Sequence, residues 1–552
     1  MAKKPSMYKE VYYSDERAFE SPEESPILNQ TPWWAISFAL HAVVLLMIWS
    51  IVLSKSVDDG SKVFKAAVDD ADYVEPPQIP PPPIKEEKEI ELIEDPENPE
   101  EIDEKDDPTE VKDEDRRPDP NPSNVEGPYP EKGYNSSMGL GGNIGGGGGP
   151  GGGGGGFRYR KQKRGKRETD KNVLLALYWL RDHQDQTGGN WSCDNFIEQC
   201  RTNSPSPHGK VKFKREGVCS NKDGNPDIGW KMGTDGVSGL STLAFLGAGY
   251  THEEGEFKLT VKKALRYLQT IQTDDGCFGP KEDEQFVYNH SICTMAMSEA
   301  YAMTAVAKLK APAQMAVEFI SYAQNEDPDR GWLGWRYGVK TGESDGSVTG
   351  WMVLALKSAR AANLKIPERC WEGAKRLYDD LTSNPDEEEG VTGAYPRTGY
   401  LTKGGPNARL REANNFLPNP SIDAINVLCR LFMGEKRSDS LLKAQSKLMT
   451  EEREGNLPTI DNEDKIDYYY WYYASLAMYQ MGGNYWTKWE QPLIDCLTGL
   501  QRLEDKDACV YGSWDPIDAW GTAGGRVYAT AINALTLEVY YRYERTGTTS
   551  DD

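Results

Sequence analysis

The feature that most constrains this chain is a run of repeated helical segments between residues 170 and 545. One class carries small residues among apolar ones, and its six instances begin at Gly236, His290, Val348, Ile422, Tyr472 and Ala529. Most lie about 50 to 58 residues apart, with one longer step before Ile422. A second, amphipathic class precedes each of them, beginning near Lys171, Leu259, Ala313, Glu368, Leu441 and Pro492. The apolar spacing is helical, so the sequence predicts an all-α fold, an (α/α)6 toroid of six outer and inner helix pairs.

A loop with a shared pattern ends several of the outer helices. Its instances run from a glutamine through glycine to an aromatic residue: Gln184 to Trp191, Gln272 to Phe278, Gln324 to Trp335 and Gln501 to Trp514. Glycine turns the chain and the aromatic ring packs back onto the helices. These loops resemble the QW motifs of squalene and hopene cyclases and the looser repeats of protein prenyltransferase β subunits, over about residues 170 to 545. The resemblance implies the toroid, but a shared fold does not carry function with it.

The chemistry of triterpene cyclases is not expected here. That family protonates an alkene with an Asp-x-Asp-Asp motif, and the toroid sequence has no such motif. Asp274-Asp275 lacks the leading Asp, and the spacing of Asp515 and Asp518 is different. Without a carboxylic acid held protonated, that step has no proton donor.

The resemblance to prenyltransferases raises the question of zinc. That family binds zinc through an Asp and a Cys two residues apart and a later His, and Asp275, Cys277 and His290 have these types. However, Asp275 and Cys277 fall inside a QW-like loop, and all three residues lie in one repeat. A structural turn followed by a helix-start histidine explains them more simply. We therefore expect no cofactor, and keep zinc at these three residues as the alternative.

The first residues of the inner helices are the best candidates for any site, because they should rim the central cavity. The rim candidates are Asp235, His290, Trp351, Asp423, Asp467, Trp471 and Tyr528. The run 467–473 is especially rich in aromatic residues, which suit a carbocation, a lipid chain or sugar rings alike. The alternative is that about half of these side chains pack between inner and outer helices. The catalytic residues stay unknown at this point.

The segment from Trp33 to Leu53 has no acidic residue, Lys or Arg and is long enough to cross a bilayer. It predicts a transmembrane helix over residues 33–54, after an N-terminal tail at 1–32. A cleaved signal peptide is the alternative, but the preceding segment is long and acidic and no small-x-small cleavage site follows.

Within this segment Ser37 and His41 share one helix face, and an ionisable residue inside a membrane points to function. The alternative is a neutral His41 near the interface that has no role. The stretch from Ser37 to His41, with the proline-rich stretch from Glu75 to Pro83, resembles the energy transducer TonB. The resemblance implies coupling of Ser37 and His41 to motor proteins of the ExbB/ExbD type. It also implies a cytoplasmic tail and a periplasmic toroid on the bacterial inner membrane.

Residues 55–168 predict a disordered stalk, rich in proline, then acidic residues, then glycine, and ending in a basic cluster at 158–167. The predicted toroid domain follows at 169–546, with a short tail at 547–552. The formal net charge is −24, with 87 acidic and 63 basic residues. An acidic chain lacks the basic face that phosphate binding needs, so nucleic acid is not an expected partner.

Cys193, Cys200 and Cys219 crowd one polar loop, and an oxidising compartment would allow a disulfide among them, with the pairing open. The sequence therefore favours a membrane-anchored envelope protein. Its toroid would bind or scaffold a lipid, glycan or protein ligand, and the sequence leans away from an enzyme. The second interpretation is an enzyme that acts on an isoprenoid or a polysaccharide in the toroid cavity.

Overall fold

The computed structural model describes residues 169–201, 217–220, 224–253, 255–283, 286–385, 393–406 and 416–539. Its helices alternate between an outer and an inner layer. The outer helices are α1 (Asp170–Asp182), α3 (Lys258–Thr270), α5 (Ala307–Ala323), α7 (Arg369–Leu381), α9 (Ser440–Thr450) and α11 (Gly483–Leu500). The inner helices are α2 (Thr234–Gly247), α4 (Phe286–Thr304), α6 (Gly346–Ala361), α8 (Ser421–Met433), α10 (Tyr468–Met481) and α12 (Gly521–Leu537).

The inner helices form a closed ring. Each contacts the next inner helix along the chain, and α12 returns to contact α2. Every outer helix packs against the two inner helices beside it, and α1 completes the circuit by contacting α12 as well as α2. This arrangement is a helical toroid with six outer and six inner helices in the described residues, so the predicted toroid is confirmed.

The small residues of the inner helices allow close packing around the ring. At Gly239 of α2, a Cβ would lie 3.1 Å from the backbone nitrogen of Cys293 in α4. The inner helices are buried on nearly every face. Apolar residues therefore surround each inner helix rather than forming one stripe, as expected for helices enclosed by a second layer.

The QW-like loops join one repeat to the next through a set of hydrogen bonds that recurs in four repeats. The Gln324 amide donates to Leu333 O at 2.7 Å, in its own loop, and to Arg369 O at 3.0 Å, at the start of the next outer helix. Gln184, Gln272 and Gln501 make the same pair of bonds in their own repeats. The Trp335 indole donates to Ile320 O at 2.8 Å, which fixes the ring against its own outer helix.

Small departures from the predicted boundaries have a local cause. Helix α5 begins at Ala307 and α11 at Gly483, earlier than the predicted starts near Ala313 and Pro492. Pro312 and Pro492 lie inside these helices, where proline removes a hydrogen bond and normally marks a helix start. Two antiparallel hairpins are also present: β1 (Glu326–Asp327) with β2 (Gly331–Trp332), and β3 (Thr382–Ser383) with β4 (Arg397–Thr398).

The predicted tail at 1–32, membrane helix at 33–54 with Ser37 and His41, stalk at 55–168 and tail at 547–552 lie outside the described residues. Among the helices that the structure does describe, none is both long and apolar enough to cross a bilayer. The prediction of a single-pass inner-membrane protein with a periplasmic toroid is corrected on this finding. The domain limits and the motor partners remain predictions.

Candidate active site

Side chains from several repeats meet where the inner helices begin. We call this group the mouth cluster; its members are Tyr288, Tyr337, Asp345, Ser347, Tyr400, Asp467, Tyr469, Asp518, Trp520 and Tyr528. They come together because an outer helix carries the chain back to the same end of the ring after each inner helix. All the inner helices therefore begin at that end. Tyr288, Tyr469, Trp520 and Tyr528 are half-buried and Tyr337 is exposed, in contrast to the buried residues further along the inner helices.

A chain of hydroxyl groups crosses the mouth cluster. The Tyr400 and Tyr337 hydroxyls are 2.6 Å apart, and Tyr337 lies 3.4 Å from the hydroxyl of Tyr288. Tyr288 donates to Ser347 Oγ at 3.1 Å, and Ser347 Oγ is 2.8 Å from the Tyr469 hydroxyl. The bonds span sequence separations of 59 and 122 residues, so they link three inner helices rather than neighbours in one loop.

Two carboxyl groups lie at the side of the cluster near α10 and α12. Asp467 caps α10, where one oxygen accepts from Tyr470 N at 2.9 Å and the other from the Asn419 amide at 2.8 Å. Asp518 accepts from Tyr468 N at 3.2 Å and from the Tyr528 hydroxyl at 3.3 Å. Burial, and then the nearby charge of Asp467, raises the pKa of Asp518 well above the usual range of an aspartate.

A third carboxyl, Asp345, caps the start of α6. Its Oδ1 accepts from Ser347 N at 2.9 Å and from Val348 N at 2.7 Å. Burial raises its pKa to about 7, and the hydrogen bonds from Val348 and Ser347 act in the opposite direction. Asp345 therefore titrates near neutral pH, and its neighbour Tyr400 connects it to the hydroxyl chain.

Some polar atoms of this region are buried without a hydrogen-bond partner. Among the described residues these include Asp518 Oδ1, the indole nitrogen of Trp520 and the hydroxyl of Tyr473. The Trp520 ring lies 5.7 Å from that of Tyr469, which contacts Tyr473 at 5.0 Å. An unpaired buried polar group is costly, so these three atoms are candidates for hydrogen bonds to a bound molecule.

The structure separates the predicted rim residues into two groups. Asp467 and Tyr528 belong to the mouth cluster. Trp351 is buried beside it, stacked on Tyr472 at 6.0 Å. Asp235 lies on α2 and accepts a hydrogen bond from the Tyr267 hydroxyl. Trp471 is buried against the ring of Tyr468.

Asp423 serves the hairpin of β3 and β4 rather than the mouth cluster. Its oxygens accept from Thr398 N at 2.7 Å, from Arg397 Nε at 3.0 Å and from the Gln445 amide at 3.0 Å. The carboxyl is fully buried, and these bonds account for both of its oxygens. Asp423 therefore fixes this hairpin against α8 and α9.

His290 has a structural role that the repeats explain. Its Nδ1 accepts from Phe278 N at 3.1 Å, and its Nε2 lies 3.1 Å from Ala316 O. In the other repeats a hydroxyl takes this place: Trp335 N donates to Thr349 Oγ1, and Trp514 N to Thr530 Oγ1. Burial lowers the pKa of His290 to about 3, so the ring is neutral at ordinary pH. His290 therefore occupies the position that a threonine hydroxyl occupies in the other repeats, and it accepts the equivalent hydrogen bond from the backbone of the QW-like loop.

The alternative zinc site at Asp275, Cys277 and His290 is not assembled. Asp275 is exposed and forms an ion pair with Lys281. Burial raises the pKa of the Cys277 thiol to about 12, which disfavours the thiolate that a metal needs. Both nitrogens of His290 already face backbone groups.

A different set of metal-ligand types does meet. Within the described residues, His183, Cys200, Cys219 and Cys509 bring four ligand atoms within 4.8 Å of one another, a group we call the cysteine cluster. Cys193 lies apart, with its sulfur 3.7 Å from Gly524 O. None of the cysteines of the described chain forms a disulfide, so the bridge that an oxidising compartment would allow among Cys193, Cys200 and Cys219 is not present there.

Of the ten members of the mouth cluster, only Asp467 and Tyr528 are among the predicted rim residues, and five of the other eight are Asp345, Asp518, Tyr337, Tyr400 and Trp520. All five lie on the loops between helices, whose course the helical periodicity does not predict. For Asp518 a signal existed: it lies in the segment between a QW-like loop and an inner helix.

No family profile and no curated protein matches this chain. Solved structures do match in part. The GH76A alpha-1,6-mannanase of Salegentibacter sp. HEL1_6 matches with a TM-score of 0.41 and 10% identity, over 67% of this chain and 98% of that one. An alpha-amylase from Clostridium perfringens matches with a TM-score of 0.40 and 12% identity, over 68% and 99%.

These structures are described as enzymes, and neither is a TonB protein or a prenyltransferase. The resemblances to TonB and to prenyltransferases are not supported, and the contacts between the helices show the helical toroid alone. The prediction of a membrane-anchored binding or scaffolding protein is corrected on the same findings, together with the lack of a membrane-spanning helix in the described residues.

Proposed function

We propose that the mouth cluster is the active site of an enzyme that hydrolyses a polysaccharide. The observation that carries this proposal is Asp518. Its carboxyl is buried, its pKa is raised well above the usual range by burial and by Asp467, and its hydrogen bonds from Tyr468 N and the Tyr528 hydroxyl both go to Oδ2 rather than Oδ1. A carboxylic acid that stays protonated is what proton donation to a glycosidic oxygen requires.

Asp467 is the second carboxyl of the pair. Glycoside hydrolysis uses one carboxylic acid to protonate the leaving oxygen and one carboxylate to activate water or attack the sugar. Asp467 accepts hydrogen bonds at both oxygens, from Tyr470 N and from Asn419, as a carboxylate does. We assign Asp518 as the acid and Asp467 as the carboxylate, with Tyr528 positioning Asp518 through its hydroxyl.

The other members of the mouth cluster suit a sugar chain. The half-buried rings of Tyr469 and Trp520 can stack on the apolar faces of sugar rings. The hydroxyl chain through Ser347 and Tyr288 offers donors and acceptors to glycan hydroxyls, whereas an isoprenoid chain has no polar groups to match them. A polysaccharide is therefore favoured over an isoprenoid.

Hydrolysis is also favoured over elimination by a tyrosine base. Burial raises the pKa of Tyr469 and of Tyr528 above that of an ordinary tyrosine. A raised pKa makes the phenolate scarcer at neutral pH, which opposes its use as a base.

The test is an assay of the full chain on a panel of polysaccharides that includes starch and α-1,6-mannan. We expect release of reducing ends without an unsaturated product. Asp518→Asn should lower kcat about 10²- to 10⁴-fold, since general acid catalysis contributes about that much. Activity should also decline as the pH rises through the raised pKa of Asp518.

Asp235→Asn is the matched control, because Asp235 is also a buried aspartate with a pKa raised by burial but lies outside the mouth cluster. It should keep wild-type kcat. Thermal unfolding of each variant separates lost catalysis from lost folding. Equal activity in Asp518→Asn and the wild type, or no cleavage of any polysaccharide in the panel, would overturn the proposal.

A further inference from the structure

The cysteine cluster has the composition and spacing of a metal site. His183 Nε2 lies 3.2 Å from Cys509 Sγ and 3.5 Å from Cys219 Sγ. All four ligand atoms, including Cys200 Sγ, lie within 4.8 Å of one another. Zinc bonds of about 2.3 Å to sulfur and about 2.0 Å to nitrogen place tetrahedral ligand atoms about 3.5 to 3.8 Å apart. Small side-chain shifts would therefore bring the cluster to this geometry.

The histidine of the cluster is held in the orientation that a metal ligand needs. Its Nδ1 lies 2.8 Å from Trp179 O, to which it can donate, and this leaves the Nε2 lone pair facing the sulfurs. The His183 ring stacks on Trp179 at 4.1 Å. Metal-bound histidines usually donate their second nitrogen to a backbone carbonyl or a carboxylate in this way.

The cysteine ligands are also positioned by the surrounding fold. The indole of Trp179 donates to Cys509 O at 3.0 Å, so one tryptophan contacts two of the four ligand residues. Cys219 and Cys509 are buried, and Cys200 is 9% exposed. The cluster is thus enclosed by protein.

We propose that His183, Cys200, Cys219 and Cys509 bind one Zn²⁺ ion as a closed structural site. Three cysteines and one histidine form a recognised structural zinc set, and four protein ligands leave no position for a substrate. Thiolate ligands select zinc over magnesium or calcium. The proposal does not depend on the proposed polysaccharide chemistry, because the cluster shares no residue with the mouth cluster.

The position of the site in the ring indicates a structural role. His183 follows α1 at the beginning of the toroid, Cys200 and Cys219 precede α2, and Cys509 follows α11 in the last repeat. His183 and Cys509 are 326 residues apart in sequence. An ion bound here ties the first repeat to the last. Since the unfolded chain has no preformed site, the binding free energy stabilises the closed ring.

The first experiment measures zinc in the full chain, purified without chelators, by elemental analysis. We expect one equivalent in the wild type and loss of most of it in Cys509→Ser. Cys496→Ser is the matched control, because Cys496 is also a buried cysteine near the end of the toroid but lies outside the cluster. It should keep the full equivalent.

A second measurement covers the case in which Cys509→Ser fails to fold. The wild-type full chain is treated with a chelator and titrated with Co²⁺ alone. We expect the intense visible bands of tetrahedral cobalt with thiolate ligands, saturating at one equivalent, and a melting temperature below that of the untreated chain before the metal is returned.

Three results would overturn the proposal. The first is wild-type protein with neither bound zinc nor a cobalt spectrum. The second is a full equivalent of zinc in folded Cys509→Ser. The third is a disulfide between Cys200 and Cys219 in the freshly purified chain, shown by mass spectrometry of peptides under non-reducing conditions.

Discussion

The toroid has two regions where distant parts of the chain meet, and they are built in opposite ways. At the ring closure, where the first repeat meets the last, Arg526 donates to Asp227 and Asp515 and to Ser513 Oγ, so each of the three nitrogens of its buried guanidinium has a partner. At the mouth cluster, Asp518 and Trp520 keep polar atoms without partners. Arg526 thus finds its hydrogen-bond partners within the protein, whereas Asp518 and Trp520 in the mouth cluster each have a polar atom without one among the described residues.

This difference reflects what each region must do. Each repeat of such a ring buries its apolar surface against its neighbours, and the contact between the first and last repeats adds one more stabilising interface. The hydrogen bonds of the buried Arg526 strengthen this interface. Unsatisfied groups are tolerated where function offsets their cost, and they cluster at functional sites.

The largest expected effect is at the ring closure. Arg526→Met leaves Asp227 buried beside Asp515 without its cation, and removal of one partner from a buried ion pair costs about 3 to 5 kcal/mol. The urea midpoint of the full chain should fall accordingly. The matched control is Arg330→Met, whose partner Asp380 lies with it at the surface. It should leave the urea midpoint unchanged within error. An equal fall of the midpoint in the two variants would show that the buried ion pair at the ring closure contributes no more to stability than a surface ion pair.

The second prediction concerns the mouth cluster and has a pH dependence. Burial raises the pKa of Asp345 from 3.8 to about 7 in the folded chain. A carboxyl with a raised folded pKa makes the native state less stable as the pH rises from about 4 to about 7, and this loss is then constant at higher pH. A shift of about 3 units corresponds to at most about 4 kcal/mol.

Asp345→Asn should remove that loss, because asparagine caps a helix about as well as aspartate but carries no charge. The variant should therefore melt higher than the wild type at pH 8 and at nearly the same temperature at pH 4.5. Thermal unfolding at the two pH values checks this. A variant that is less stable than the wild type at pH 8 would mean that ionised Asp345 is needed to hold the hydroxyl chain.

The two regions also differ in how far the sequence predicts them. Helical periodicity is local, and it locates the outer and inner helices and two members of the mouth cluster, Asp467 and Tyr528. The partners of those two come from loops such as the one that carries Asp518. At the ring closure the crowding of Cys200 and Cys219 is visible in the sequence, but the residues that complete their cluster are not. His183 and Cys509 lie in separate repeats, and only the closed ring brings them together.

His290 shows a second limit of prediction from the sequence: the sequence marks it as a site candidate, but its role is structural. Its type and its place at a helix start indicate a ligand or a base. Comparison of the repeats in three dimensions shows that Phe278 N bonds to it as Trp335 N bonds to Thr349. The QW-like loop that predicts the fold therefore also explains His290, because the loop backbone donates a hydrogen bond to its ring. The sequence alone does not show this bond.

The smallest expected effect on stability comes from removing a single tyrosine hydroxyl. Two such variants distinguish a role in substrate binding from a role in packing. Tyr469→Phe removes one hydroxyl from the chain, and Tyr468→Phe removes one from the adjacent buried tyrosine, which donates to Asp515 O at 3.3 Å. Each loss should cost about 1 kcal/mol in unfolding free energy, the usual net value of one hydrogen bond. Only the Tyr469 hydroxyl lies at the half-exposed mouth, so only Tyr469→Phe should raise KM for the polysaccharide that the chain cleaves. Equal KM values in the two variants would place the substrate elsewhere on the toroid, whereas a rise confined to Tyr469→Phe would locate it on the hydroxyl chain.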